Sequence, residues 1–376
     1  MDQVVKNAIL RAQSESARAN ENKAKHFKEI NNETDKDLLE MLEVNQAKIM
    51  VVGCGGGGCN TIERMNEVGI EGAKTFAVNT DAQDLLSTQS DKKLLIGKKL
   101  TRGLGAGSDP QVGESAAKES LEELKNLLSE ADLVFITCGL GGGTGTGSAP
   151  VVAEVSKSLK ALTVAVVTLP FAVEGRKRME NAMYGLEKLM EYTDTIIVIP
   201  NDKILEIAPD LPINAAFKVA DEVLTNSVKG ITEMVTKPGL INLDFADLRA
   251  ILSKGGAAMI GLGESSNTES SETRALEAVE NALTSPLLDV DISNATKALV
   301  NVVGGSDMTL REAEMIVETV STKINSSSHI IWGAMVDDNM PRNHVQAMVV
   351  IAGGKFPYLE GGIDNMKEVD LGIDFT

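Results

Sequence analysis

The sequence predicts an α/β protein in which a doubly wound parallel sheet is joined by a long central helix to a smaller α/β domain. Three observations carry that prediction. Short apolar runs, of which Leu133-Val134-Phe135-Ile136-Thr137 is the plainest, read as strands buried on both faces, and they alternate with helical periodicity as far as Pro200. Glycine-rich loops join strand to helix at three places, where open parallel sheets bind their ligands. Beyond these, Ala216, Val219, Val223, Val228, Ile231 and Val235 keep helical spacing without a break, which gives one helix from about Asn214 to Thr236.

Length and composition agree. A chain of 376 residues exceeds what one core usually organises, and its 43% hydrophobic content supplies two. The formal charge of −18 opposes nucleic acid and anionic lipid, so no nucleic-acid partner is expected. Apolar segments such as Leu162 to Val173 are too short to span a bilayer, and the first residues lack the apolar centre of a signal peptide, which predicts a cytoplasmic protein without direct membrane insertion. The three cysteines, Cys54, Cys59 and Cys138, have neither CxxC spacing nor nearby histidine. They read as small buried thiols rather than metal ligands or disulfides, and no protein metal site is expected.

Residues 1–46 are polar, with weak helical periodicity, and read as a helical extension of one or two loosely docked helices. A first α/β domain is expected over 47–213, the central helix over 214–236, a second α/β domain over 237–353 and a disordered acidic tail over 354–376. The first strand, Lys48 to Val52, runs into Gly53-Cys54-Gly55-Gly56-Gly57-Gly58-Cys59-Asn60, with a helix expected from about Thr61. A strand over Thr75 to Val78 follows, and then a second loop, Gly103-Leu104-Gly105-Ala106-Gly107-Ser108, opens a helix over Gly113 to Ser129.

The third loop, Gly141-Gly142-Gly143-Thr144-Gly145-Thr146-Gly147, dominates the chain. So much glycine sacrifices helix and strand propensity, and close approach of the backbone to a ligand is the physical reason to accept that. At a helix N-terminus the first N–H groups lack intrahelical partners and the dipole favours negative charge, so a phosphate is the natural guest. Three such loops predict one nucleotide held from several sides. None contains GK[ST], which excludes the ordinary P-loop NTPase. Gly53, Gly55 and Gly58 do satisfy GxGxxG, with Asn79 and Asp81 near the place of a ribose-binding acid, so an NAD-dependent Rossmann oxidoreductase is the competing reading.

After the third loop come a strand at Thr163 to Leu169, a helix ending near Tyr192 and a strand at Thr195 to Ile199. Past the central helix, Pro238-Gly239 and Ile241 to Asp247 open a further helix. Strands at 258–263, 297–303, 329–336 and 345–352, with helices near 271–283 and 309–324, complete the second domain. His329, Trp332 and His344 read there as core or sheet-surface residues.

Taken together, GGGTGTG at 141–147, the loop Gly53 to Asn60 and NLDFAD at 242–247 resemble the FtsZ family of prokaryotic cell-division GTPases, homologues of tubulin, over about Lys48 to Gly353. The resemblance implies GTP and GDP bound with Mg²⁺, head-to-tail self-assembly into protofilaments, and a role at the division site. Under it the phosphate loops are Gly55, Gly56, Gly57 and Gly58; Gly105, Ala106 and Gly107; and Gly141, Gly142, Gly143, Thr144, Gly145 and Thr146. Glu174 and Arg178 match the ribose-side pair, while Asn60, Asn201, Phe217 and Asp221 match the guanine site. Asn242, Asp244 and Asp247 match the catalytic set, with the two aspartates activating water in the site of the adjoining subunit. A central helix of about 35 Å, at about 1.5 Å per residue, separates them from their own glycine loops. Cys59 stands where relatives often have Gly or Asn, and the tail is short and acidic where bacterial relatives carry a long linker; a membrane adaptor is the partner expected of it. A polymer-forming scaffold that binds GTP without turnover is the remaining alternative.

Overall fold

The apolar runs become ten strands in the computed structural model, which describes residues 47–207, 210, 212–288 and 292–353. They are β1 (Ile49–Cys54), β2 (Ala73–Asn79), β3 (Lys92–Leu95), β4 (Leu133–Gly139), β5 (Leu162–Leu169), β6 (Thr195–Pro200), β7 (Gly256–Ser265), β8 (Lys297–Gly304), β9 (His329–Val336) and β10 (Val345–Ala352). The helices are α1 (Gly55–Val68), α2 (Ala82–Ser87), α3 (Pro110–Glu119), α4 (Leu121–Leu128), α5 (Thr144–Ser158), α6 (Arg176–Tyr192), α7 (Asn201–Ile207), α8 (Ile213–Thr236), α9 (Phe245–Leu252), α10 (Ser271–Leu283) and α11 (Leu310–Lys323). The expected N-terminal helices of 1–46 and the acidic tail of 354–376 lie outside the described residues.

All ten strands share one sheet, in the order β3-β2-β1-β4-β5-β6-β7-β10-β8-β9. Pairing is parallel except on either side of β10. The two regions expected as separate domains meet where Thr195, Ile196 and Ile197 pair with Gly256, Ala257 and Ala258. Alternate residues of β1 feed opposite faces. Met50 and Val52 join the layer with α5 and α6, whereas Ile49 and Val51 join the layer with α1, α8 and α9. The central helix α8 lies along that second face, where Val228 and Ile231 pack with Leu299 and Val350 of the C-terminal strands.

Helix boundaries correct the sequence reading at the glycine loops. The helices expected from Thr61 and Ser148 begin at Gly55 and Thr144. Close packing overrides propensity here. A Cβ at Gly53 would stand 2.3 Å from Gly58 O, and one at Gly58 would stand 2.6 Å from Thr137 O, so glycine lets the first turn of α1 lie directly on β1 and β4. The single helix expected over 113–129 is two, because Ser120 leaves helical geometry at φ −105°, ψ 27°. The short elements α2, β3 and α7 escaped the sequence reading, since four to seven residues carry too little periodicity to register.

Candidate functional site

Strand order 3-2-1-4-5-6 reverses between β1 and β4, and the crevice of such a sheet opens at the carboxyl ends of those two strands. The same order occurs in dinucleotide-binding sheets, so topology locates the crevice without choosing the nucleotide. Both flanking helices, α1 and α5, start there with no side-chain cap and no acid in the first turn. Elsewhere α2, α3, α9, α10 and α11 are capped by Asp81, Asp109, Asp244, Ser270 and Thr309, whereas α4, α6 and α8 have no side-chain cap either. Two uncapped, un-neutralised N-termini converging on one crevice suit an anion.

The glycines divide by what surrounds them. A Cβ at Gly147 would stand 2.0 Å from Pro110 O, one at Gly113 2.3 Å from Gly143 O, and one at Gly145 2.9 Å from Cys54 O. These positions are glycine because the chain packs on itself. At Gly142 and Gly107 a Cβ meets nothing within 4 Å, and at Gly56 only Asp84 Oδ2 at 3.5 Å. Nothing in the protein requires glycine for space at Gly142 or Gly56, which leaves room for a ligand beside them.

Cross-links hold the loops together. Thr80 Oγ1 and Thr144 Oγ1 are 2.6 Å apart, Gly105 N donates to Thr80 O at 3.2 Å, and Gly141 N donates to Thr146 Oγ1 at 2.9 Å. Asn79 and Asp81, the ribose-acid candidates of the oxidoreductase reading, are engaged locally: Asn79 Oδ1 accepts from Thr80 N, and Asp81 Oδ1 caps α2. Thr80 and Asn181 were missed by sequence reasoning. Asn181 stands in a helix interior on the face that also carries Arg178 and Gly185, a spacing from which it was legible.

A second corner gathers Glu174, Arg178, Asn201 and Phe217. Phe171 N donates to Glu174 Oε1 at 2.9 Å, and Glu174 and Arg178 form an ion pair. Ala172 N donates to Asp202 at the start of α7. Phe217 presents an exposed ring edge-on to the buried Phe171. Asn201 is buried with its Oδ1 unpartnered, an acceptor that a ligand can satisfy. One turn along α8 from Phe217, Asp221 is half-buried, and burial pushes its carboxyl up to about 7, opposed only by the Thr61 hydroxyl at 3.4 Å. Asn60 is exposed one residue before Thr61. Burial also raises Cys54 to about 12 and Cys59 to about 11, as expected of thiols that take no part in chemistry.

Asn242, Asp244 and Asp247 lie elsewhere. Thr236, the last residue of α8, donates through Oγ1 to Glu71 O beside the start of β2, and Arg249 Nη2 reaches Asp132 O just before β4. They therefore stand at the amino edge of the parallel strands, whereas the glycine loops stand at the carboxyl edge. Twenty-four residues of α8 span about 36 Å between these ends. Asn242 Oδ1 accepts from Gly239 N, and Asp244 Oδ1 caps α9 by accepting from Asp247 N at 2.7 Å. Lys297 Nζ secures the other end of α9 through three carbonyls. Asp247 is exposed.

Among the described residues no helix is long and apolar enough to cross a membrane, and no cluster of three or more His, Cys, Asp or Glu could hold a metal. A separate cavity of about 510 Å³ lies between α8 and the C-terminal strands, lined by Val223, Leu262, Asn301, Met335 and Met348, away from the glycine loops.

Known proteins share this architecture. Residues 48–209 match the GTPase domain of the Tubulin/FtsZ family, and residues 256–355 match the C-terminal domain of the FtsZ family. The chain is 59% identical over 341 residues to cell division protein FtsZ 1 of Methanocaldococcus jannaschii, covering 90% of this chain and 92% of that one. It is 52% identical over 376 residues to the Archaeoglobus fulgidus protein of the same name, covering 100% and 99%. Its fold superposes on an empty FtsZ dimer of M. jannaschii with a TM-score of 0.81 at 61% identity, over 86% of this chain and 92% of that one. It also superposes on GDP-bound monomeric CetZ1 from Haloferax volcanii, with a TM-score of 0.73 at 22% identity, over 86% and 97%, a likeness of fold alone.

Proposed function

The chain belongs to the Tubulin/FtsZ family, as a GTPase of the cell-division branch, and from that premise we propose that it hydrolyses GTP at sites completed only when subunits join head to tail. The observation that carries this reading is the separation along α8. The glycine loops and the aspartates of one chain stand at opposite edges of the same sheet, with the length of α8, about 36 Å for twenty-four residues, running between those edges. A contact that joins one end of a subunit to the other end of the next is heterologous and does not close, so repeating it gives a filament.

In this reading the N–H groups at Gly55–Gly58, Gly105–Gly107 and Gly141–Thr146 hold the phosphates, and Glu174 with Arg178 takes the ribose side. Phe217 stacks on the base, Asp221 accepts from donors that guanine presents and adenine lacks, and Asn60 and Asn201 complete the base site. Asp247 of the neighbouring chain takes a proton from water as it attacks the γ-phosphorus. The bond to the β-phosphate oxygen breaks, and GDP and phosphate leave; Asp244 and Asn242 hold that loop. Mg²⁺ bound to the phosphates would supply the countercharge that a Walker lysine supplies elsewhere. The filaments act in the cytoplasm at the division site, and the acidic segment ending Asp370-Leu371-Gly372-Ile373-Asp374-Phe375-Thr376 engages a membrane adaptor.

Phosphate release and sedimentation measured across one dilution series test this. Turnover per subunit is expected near zero below a critical concentration and to rise with polymer above it. Constant specific activity at concentrations with no polymer would overturn it.

A further inference from the structure

We propose that Asn181 is a positioning residue that clasps the loop Gly105–Ser108 to the loop Gly141–Gly143 and so sets how strongly affinity grows with the number of phosphates on the nucleotide. This rests on the nucleotide-site reading above.

Asn181 sits inside α6 and is 7% exposed. Its Nδ2 donates to Ser108 O at 3.1 Å and to Gly141 O at 3.3 Å, two carbonyls separated from it by 73 and 40 residues. Because both partners only accept, the amide nitrogen must face them, and its two protons serve one loop each. Each carbonyl belongs to a residue in the left-handed region, Ser108 at φ 61° and Gly141 at φ 105°. Such backbone persists where its surroundings hold it.

The rest of that helix face fits the same task. A Cβ at Gly141 would stand 2.9 Å from Arg178 O, and one at Gly185 would stand 2.5 Å from Thr146 Cγ2. Arg178, Asn181 and Gly185 recur at helical spacing, so α6 lies along the central loop from the ribose corner to the start of α5. Asparagine is a poor helix former, and here its amide closes the distance between two phosphate loops that no backbone hydrogen bond joins directly. A nucleotide gripped by both loops depends on their spacing, and a longer phosphate chain engages more of that grip than a shorter one.

The test measures affinity of the full-length protein for a slowly hydrolysed GTP analogue, GDP and GMP by calorimetry, below the concentration at which polymer forms. For Asn181→Ala the triphosphate is expected to weaken about tenfold and GMP to be unchanged, with the preference for guanine over adenine retained. Asn181→Asp, which offers no donor to either carbonyl, should match it. Asn181→Thr keeps one donor and should fall between, which preserves the test if the alanine variant folds poorly. An unchanged ladder of affinities, or an equal loss across all three nucleotides, would overturn the clasp. Failure of the wild-type chain to bind any guanine nucleotide would instead overturn the site itself.

Discussion

Phe217 stands edge-on to Phe171, with ring centroids 5.1 Å apart and planes at 88°, so that one ring is buried and the other is held out over the corner where Asp221 waits. The pairing fixes an exposed aromatic on α8 that would otherwise be free to rotate. It also brings an apolar surface close to a carboxyl that already lacks a counter-charge.

Burial holds the Asp221 carboxyl at about 7, above its ordinary 3.8, so in the nucleotide-free protein it is protonated below that pH. The folded state binds the proton more tightly than the unfolded chain. Its stabilising contribution is therefore present below pH 3.8, fades as pH rises and is lost above about 7. Thermal midpoints of the nucleotide-free protein should fall across that window, and Asp221→Asn should flatten the fall. GTP affinity should run the opposite way, rising through pH 7, because only the carboxylate accepts from both guanine donors. Asp221→Asn should also narrow the preference for GTP over ATP. Calorimetric titrations from pH 5.5 to 8.5 check this, and a flat profile for wild-type GTP binding would refute the assignment.

The two kinds of glycine should respond oppositely to added side chains. Gly142→Val meets empty space, so circular dichroism and thermal midpoint should stay near wild type while nucleotide binding is lost. Gly147→Ala drives a Cβ to 2.0 Å from Pro110 O and should unfold or severely destabilise the domain. Normal GTP binding by folded Gly142→Val would remove the central loop from the phosphate site.

Under the proposed function, Asp244 and Asp247 are expected to divide between structure and chemistry. Asp244 caps α9, so Asp244→Ala should cost about 1 kcal/mol of stability, and Asp244→Ser should restore most of it. Asp247→Ala should leave stability and GTP binding near wild type, permit polymer and slow hydrolysis. Mixing Asp247→Ala with Gly142→Val subunits should restore turnover, since the first offers a loaded phosphate site and the second an intact aspartate. No recovery in mixtures that co-sediment would argue against a site shared between chains.

The sequence determined what depends on local period and local chemistry. Alternating apolar runs fixed β4, β9 and β10 nearly to the residue, and helical spacing fixed α8 and α10, because burial on two faces or one writes itself into neighbouring positions. The density of glycine at 141–147 marked a place of close backbone approach, since little else justifies it. Only the tertiary structure decided which glycines face open space and which face Pro110 or Cys54, and that Asp244 uses its side chain as a cap. It alone joined ten strands into one sheet and brought Asn181 to two loops 73 and 40 residues away. Those facts arise from contacts between distant segments and from the water that packing excludes, which no window of sequence contains.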